Sequence, residues 1–328
     1  MSTGIASRVA LPRQAGKRDY LRLARFDHIT KQIFVVPGAA LAFLLRDAQN
    51  SNLLLHVVLG FVCAISIASA NYVINEWLDR DFDRHHPTKS ARVSVQTELN
   101  PAYVYGLWAL FIAIGCAAAA ASSTPMLIVA GLFAVQGVVY NVPPVRTKDK
   151  AYLDVISESV NNPFRLLIGW LMIDATSVPP MSIIVAYWLG GAYLMAAKRW
   201  SEYREICASH GRDLLIRYRK SFAGYTEIRL LASCIAYALL SSSLFSIFII
   251  KYRIEYILLV PPLCFLFAVY LGISMRHGSV AQAPERLFQD RTLMLAMLLV
   301  GATAVVTTFF DIPDLQTYTD QQFIELRK

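Results

Sequence analysis

Asn75, Asp79 and Asp83 recur at four-residue intervals in NEWLDRDFD, directly after the apolar run ASANYVI. On a continuing helix they share one face, drifting about 40° per step. Oxygen-bearing side chains stacked in this way repel one another unless a cation lies among them. An all-oxygen set with room for water and phosphate suits Mg2+. The plainer reading is a charged helix end at the membrane surface, with Arg80 and Arg84 pairing with the acids. Pro87 ends the helix, and Lys89 and Arg92 follow it. Bases beside a carboxylate–metal site are what a departing diphosphate needs. His85 and His86 are adjacent and point apart on a helix, which favours hydrogen-bonding or interfacial roles over metal ligation.

A second group of acids opens a later apolar run. Asp154, Glu158 and Asn161 are spaced by four and three residues on one helical face, and Arg165 follows a turn further in. Tyr140, the stiff pair Pro143-Pro144, Arg146, Lys148 and Asp149 precede them. An ionisable group inside a membrane span points to function, the bland alternative being an Arg165–Glu158 type pair that serves packing. A third stretch, AAKRWSEYREI, carries Lys198, Arg199, Glu202, Arg204 and Glu205. The basic loop beyond it holds Arg217, Arg219, Lys220, Tyr225 and Arg229. It reads either as a snorkelling interface belt or as a phosphate-binding cap. Two acidic clusters, each accompanied by bases, imply a membrane-embedded site for a magnesium–diphosphate substrate.

The elements that must position these residues are membrane helices. The chain has 328 residues, 56% hydrophobic and only 16% charged, against roughly a quarter charged in soluble domains. Spans of about 20 apolar residues are expected near 32–46, 52–75, 101–121, 124–141, 152–173, 179–197, 227–250, 254–275 and 292–310. Bases concentrate before the first span and after the second, fourth, sixth and eighth, while the alternate connections are poor in them. This pattern predicts an inner (plasma) membrane protein of bacterial type, with the N-terminus and site cytoplasmic and the C-terminus outside. Topology therefore accounts for most of the net charge of +8, and no nucleic-acid partner is expected. The first apolar run comes too late for a cleaved signal peptide. The five cysteines form no CxxC and read as small core residues. The chain divides into a basic amphipathic segment (1–31), the helical bundle (32–310) and a polar tail (311–328). Within the first part, KRDYLRLARFDHITK (17–31) reads as an interfacial helix or as a simple topology signal.

N-E-x-x-D-x-x-x-D followed by HPTK, and Y-x5-R-x-K with Asp154 on the next helix, resemble the UbiA-type intramembrane prenyltransferase superfamily. The resemblance implies an all-α bundle of about nine transmembrane helices with cytoplasmic cap loops. Two acidic motifs in it hold Mg2+ and a diphosphate. SANYVINEWLDRDFDRHHPTKSAR, AAKRWSEYREI, RKSFAGYTEIRL and PERLFQDR are most similar to the branch that transfers phosphoribosyl groups to decaprenyl phosphate. That branch implies phosphoribosyl pyrophosphate as donor and a polyprenyl phosphate lipid as acceptor. Its product feeds arabinose or ribose lipid donors and cell-envelope glycan synthesis. Asn75, Glu76, Asp79 and Asp83 would hold the metal, and Asp79, Asp83, Asp154 and Glu158 would be catalytic. Lys31, Lys89, Arg92, Tyr140, Arg146, Lys148, Arg165, Lys198, Arg199 and Glu202 would bind donor or phosphate. Asp154 or Glu158 would take ribose hydroxyls or a second ion. The chain departs from the family pattern at Glu76, where Asp is usual, and at Val93, where Pro is usual. Two alternatives are a prenyl transferase acting on an aromatic or lipid acceptor, and a non-catalytic lipid-binding or transport protein. No inverted repeat of the transporter kind is visible.

Overall fold

The computed structural model describes residues 13–46, 52–276 and 289–319. Most of PERLFQDR and the last nine residues of the tail lie outside the described residues. Among the described residues fourteen helices follow in order: α1 (Lys17–Leu23), α2 (Val36–Leu45), α3 (Leu53–Asp83), α4 (Val93–Gln96), α5 (Pro101–Ser122), α6 (Thr124–Asn141) and α7 (Leu153–Ser159). Then come α8 (Asn161–Ile173), α9 (Met181–His210), α10 (Arg212–Tyr218), α11 (Glu227–Tyr252), α12 (Val260–Ser274), α13 (Arg291–Phe309) and α14 (Pro313–Thr319). A 3-10 segment, Phe26–Val35, leads into α2, and another, Lys220–Gly224, follows α10. Two short strands, β1 (Arg13–Gln14) and β2 (Thr97–Glu98), pair in parallel.

Among the described residues, eight helical stretches are long and apolar enough to cross a membrane. The stretch expected at 152–173 is instead broken into α7 and α8 at Val160. The break falls between the acids of α7 and the apolar body of α8. Leu23 and Ala24 are fully buried against Val73, Ile74 and Trp77 of α3.

Side-chain caps fix where the helices begin. Asn100 accepts from the Ala102 amide with Pro101 at the first position of α5, and Ser123 accepts from the Met126 amide of α6. Thr226 and Asp290 do the same for α11 and α13. Two glycines set the tightest approach. A Cβ on Gly38 would lie 1.9 Å from the Leu166 carbonyl oxygen, and one on Gly169 would lie 2.0 Å from that of Val35. Only glycine permits this contact, which presses α2 and its 3-10 lead against α8. Ile67, Phe133 and Trp170 fill the core beside it. Large apolar side chains such as Leu54, Ile228 and Leu298 face outward, as a lipid-facing belt requires.

Candidate active site

The end of α3 carries the first cluster. The helix runs unbroken through Asp83, so Asn75, Glu76, Asp79 and Asp83 occupy one arc of about 100°. Asp79 Oδ1 accepts from Arg146 at 2.8 Å and from Lys148 at 2.5 Å. Asn75 donates to Asn141 Oδ1 at 2.6 Å, and Lys148 donates to the same oxygen at 2.7 Å. On the other edge of the arc, Asp83 accepts from Arg92 at 2.7 Å, and the Ser94 hydroxyl reaches Glu76 at 3.5 Å. Arg146 sits at φ +24°, a region that costs a non-glycine residue energy. Its guanidinium is tied at once to Asp79, Asp149 and the Asn141 carbonyl, which fixes the turn. Burial pushes the Lys148 ammonium down to about 8, against the pull of the Asp79 carboxylate.

The second cluster is built around a single guanidinium. Arg199 of α9 donates to Asp154 at 3.3 Å, to Glu158 at 3.0 Å and to Glu202 at 3.1 Å. Asp154 is wholly buried and also accepts from Tyr225 at 2.6 Å and Ser221 at 3.0 Å, with Arg219 at 3.4 Å. These partners come from the segment after α10, which is thereby fastened over α7. The Tyr225 hydroxyl in turn accepts from the amide of Tyr152, held at φ +66°. Glu202 draws in His86 at 3.3 Å and Lys89 at 3.4 Å. The Thr88 and Lys89 amides donate to His86 Nδ1, which leaves Nε2 to carry the proton toward Glu202. Burial lowers the pKa of both His86 and Lys89.

Glu158 differs from its neighbours. Its side chain is 31% exposed, and its contacts with Tyr140, Arg199 and Arg219 all use Oε2. Tyr140 bridges the clusters: it donates to Glu158 at 2.7 Å, accepts from Arg219 at 2.8 Å and lies beneath Lys148.

The sequence-predicted residues thus gather at one end of the bundle, but in groupings their spacing did not show. Glu158 pairs with Arg199, not with Arg165, whose Nε reaches Gln32 at 3.2 Å. Lys31 lies 5.4 Å over the Tyr72 ring. Of the bases beside the first motif, Arg80 stacks 3.8 Å over Trp77 and Arg84 makes a long, exposed contact to Asp81. Asn141, Ser221, Arg219 and Tyr225 touch the clusters without having been singled out as site residues. The only signal for Arg219 and Tyr225 was their place in a basic loop, and an Asn or Ser in a helix or loop carries none.

Among the described residues, no three His, Cys, Asp or Glu side chains converge as a ready metal cage. The first cluster still fits a hard divalent ion in donor chemistry. It offers amide and carboxylate oxygens on one arc, with Asp79 and Asp83 held by bases of the kind that bind phosphate oxygens. The second cluster does not, because Arg199 already lies among its three carboxylates.

The description of the UbiA prenyltransferase family matches residues 34–294, and the chain belongs to that family. Its helices make it an integral membrane protein. It is similar to a structure of a UbiA homologue from Archaeoglobus fulgidus bound to GPP and Mg2+, with a TM-score of 0.66 and 22% identity over 88% of this chain and 99% of that one. An apo UbiA homologue from Aeropyrum pernix gives a TM-score of 0.59 at 17% identity, covering 85% and 98% of the two chains. Among curated proteins, protoheme IX farnesyltransferase from Geobacillus thermodenitrificans is 27% identical over 163 residues, 48% of this chain. The chain spans about half (52%) of that relative's length.

Proposed function

We propose that this UbiA-family transferase moves a phosphoribosyl group from phosphoribosyl pyrophosphate to the phosphate of a polyprenyl phosphate in the bilayer. The observation that carries the reading is Glu158. Its side chain is 31% exposed and makes its contacts through Oε2, beside the bases and acids of the first cluster. A hydroxylated donor uses such an acceptor, whereas a hydrocarbon donor has no use for it.

Asn75, Glu76, Asp79 and Asp83 would hold a single Mg2+. When bound, the ion neutralises charge on the diphosphate. Arg146, Lys148 and Arg92 are placed to turn from the carboxylates to the diphosphate oxygens. Glu158 Oε1 orients the ribose hydroxyls. The C1–O bond to diphosphate breaks, its electron pair leaving with diphosphate, and an acceptor phosphate oxygen bonds to C1. The acceptor phosphate is already anionic, so no general base is required.

Prenyl transfer is the second reading. It is favoured by the solved homologues, bound to GPP or to DMAPP with Mg2+, and by the farnesyltransferase relative. The same first cluster would serve it. A donor competition assay on purified protein in detergent with Mg2+ separates the two. Pyrophosphate release with phosphoribosyl pyrophosphate, and only when polyprenyl phosphate is present, is the expected result. Release only with a prenyl diphosphate and an aromatic acid would overturn the reading.

A further inference from the structure

His86 is neither a metal ligand nor a base of either cluster, yet it is tied into the structure on every side. Its amide donates to the Asp83 carbonyl at 3.1 Å, so it starts where the acid arc of α3 ends. It is buried, and its ring meets the Tyr218 ring of α10 edge-on, with centroids 4.5 Å apart. Nδ1 accepts from the Thr88 and Lys89 amides, both at 3.2 Å, and the His86 carbonyl accepts from the Ser90 amide at 3.3 Å. The turn through Pro87 is thereby wrapped around one imidazole, and the backbone of Lys89 is pinned to it. Nε2, the nitrogen left with the proton, faces Glu202 Oε1 of α9 at 3.3 Å.

Glu202 Oε1 has two partners, His86 at 3.3 Å and Lys89 at 3.4 Å, while Oε2 takes Arg199 at 3.1 Å. The three are not equivalent. Side-chain exposure is 3% for Arg199, 9% for His86 and 25% for Lys89, and Lys89 is also the longest contact. Taking the one partner from a buried carboxylate is costly. Lys89 can leave Glu202 without that cost, because the imidazole N–H still covers one oxygen and the guanidinium the other. The backbone of Lys89 is thus fixed and its ammonium is not.

We propose that His86 is a positioning residue for the diphosphate: it anchors the Lys89 backbone and covers Glu202 Oε1, which frees the Lys89 ammonium to move from Glu202 to the diphosphate oxygens. The assignment rests on the transfer reading above only in its diphosphate, which ribosyl and prenyl donors share. His86 acts through Lys89 and touches no reacting atom. A neutral histidine suits the task because one small ring offers an acceptor to the turn and a donor to the carboxylate.

A double-mutant cycle on the full chain in detergent tests it, read as the equilibrium affinity for pyrophosphate in Mg2+. Lys89→Gln should weaken binding by about tenfold. His86→Asn keeps an acceptor beside the turn amides but is too short to reach Glu202, and it should weaken binding by a similar factor. The double variant should bind no more than about twofold weaker than Lys89→Gln alone. His86→Gln keeps a donor within reach of Glu202 and should bind within about threefold of the parent, with unfolding midpoints read alongside. Losses that multiply to about a hundredfold in the double variant would overturn the proposal, because His86 would then act on the fold and not through Lys89. Parent-like binding by either single variant, Lys89→Gln or His86→Asn, would overturn it too, as would a loss in His86→Gln as large as that in His86→Asn. Absence of pyrophosphate binding in the parent would overturn the diphosphate reading and the proposal with it. The donor competition assay reads the organic group instead, so a prenyl result there would leave this cycle standing.

Discussion

The two acidic clusters use the same residue types in opposite ways. At the end of α3, the carboxylates are distributed along an arc and held by bases from separate loops, Arg146 and Lys148 on Asp79 and Arg92 on Asp83. At the head of α7, three carboxylates from two helices converge on one buried guanidinium, Arg199. Under the proposed transfer, pairs of the first kind would exchange partners when a metal and a polyanion arrive. Arg199 cannot leave without taking one shared partner from Asp154, Glu158 and Glu202 together. Spacing alone does not distinguish the two arrangements.

The sharpest way to break this comparison is at Asp79. Asp79→Ala should lower turnover by more than about a thousandfold while the protein still purifies as a folded species. Steady-state pyrophosphate release checks it, and near-normal turnover would remove the exchangeable role of the first cluster. Arg199→Met should act on the fold instead. Losing the shared partner of buried carboxylates costs about 3–5 kcal/mol, read as a lower unfolding midpoint in detergent. A midpoint like that of the parent would show that the second cluster is not locked. Glu158→Gln should leave the fold intact and raise the donor KM by about tenfold, with a smaller change in kcat. A changed kcat at constant KM would place Glu158 on the reacting bond rather than on the ribose. The smallest effect is expected for Glu76→Asp, within about threefold of the parent, since the carboxylate already lies toward the weakly bound edge of the arc, near Ser94. A dead but folded variant would show that the longer side chain is required.

Much of the first cluster was legible because a helix translates spacing into a face. Asn75, Asp79 and Asp83 stand on one arc as their four-residue interval requires, and the bases Lys89, Arg92, Arg146 and Lys148 stand beside them or beside the second cluster. The second cluster was legible in membership but not in pairing. Glu158 was as free to meet Arg165, seven residues on, as Arg199 on another helix. Which it meets depends on how α7 and α9 pack. The span expected at 152–173 is helical on both sides of Val160, and hydropathy does not register that one-residue interruption. Tyr225 and Ser221 were invisible as ligands of Asp154 because a loop's return path leaves no periodic signal.

We propose that one acidic cluster accepts a divalent ion while the other holds Arg199 among its carboxylates. The most direct test is the stoichiometry of Mn2+, standing in for Mg2+, bound to the purified chain at saturating pyrophosphate and read by electron paramagnetic resonance. The account predicts one tightly bound ion per chain, lost in Asp79→Asn and retained in Glu202→Gln. Two tightly bound ions, or loss of the ion in Glu202→Gln, would contradict it.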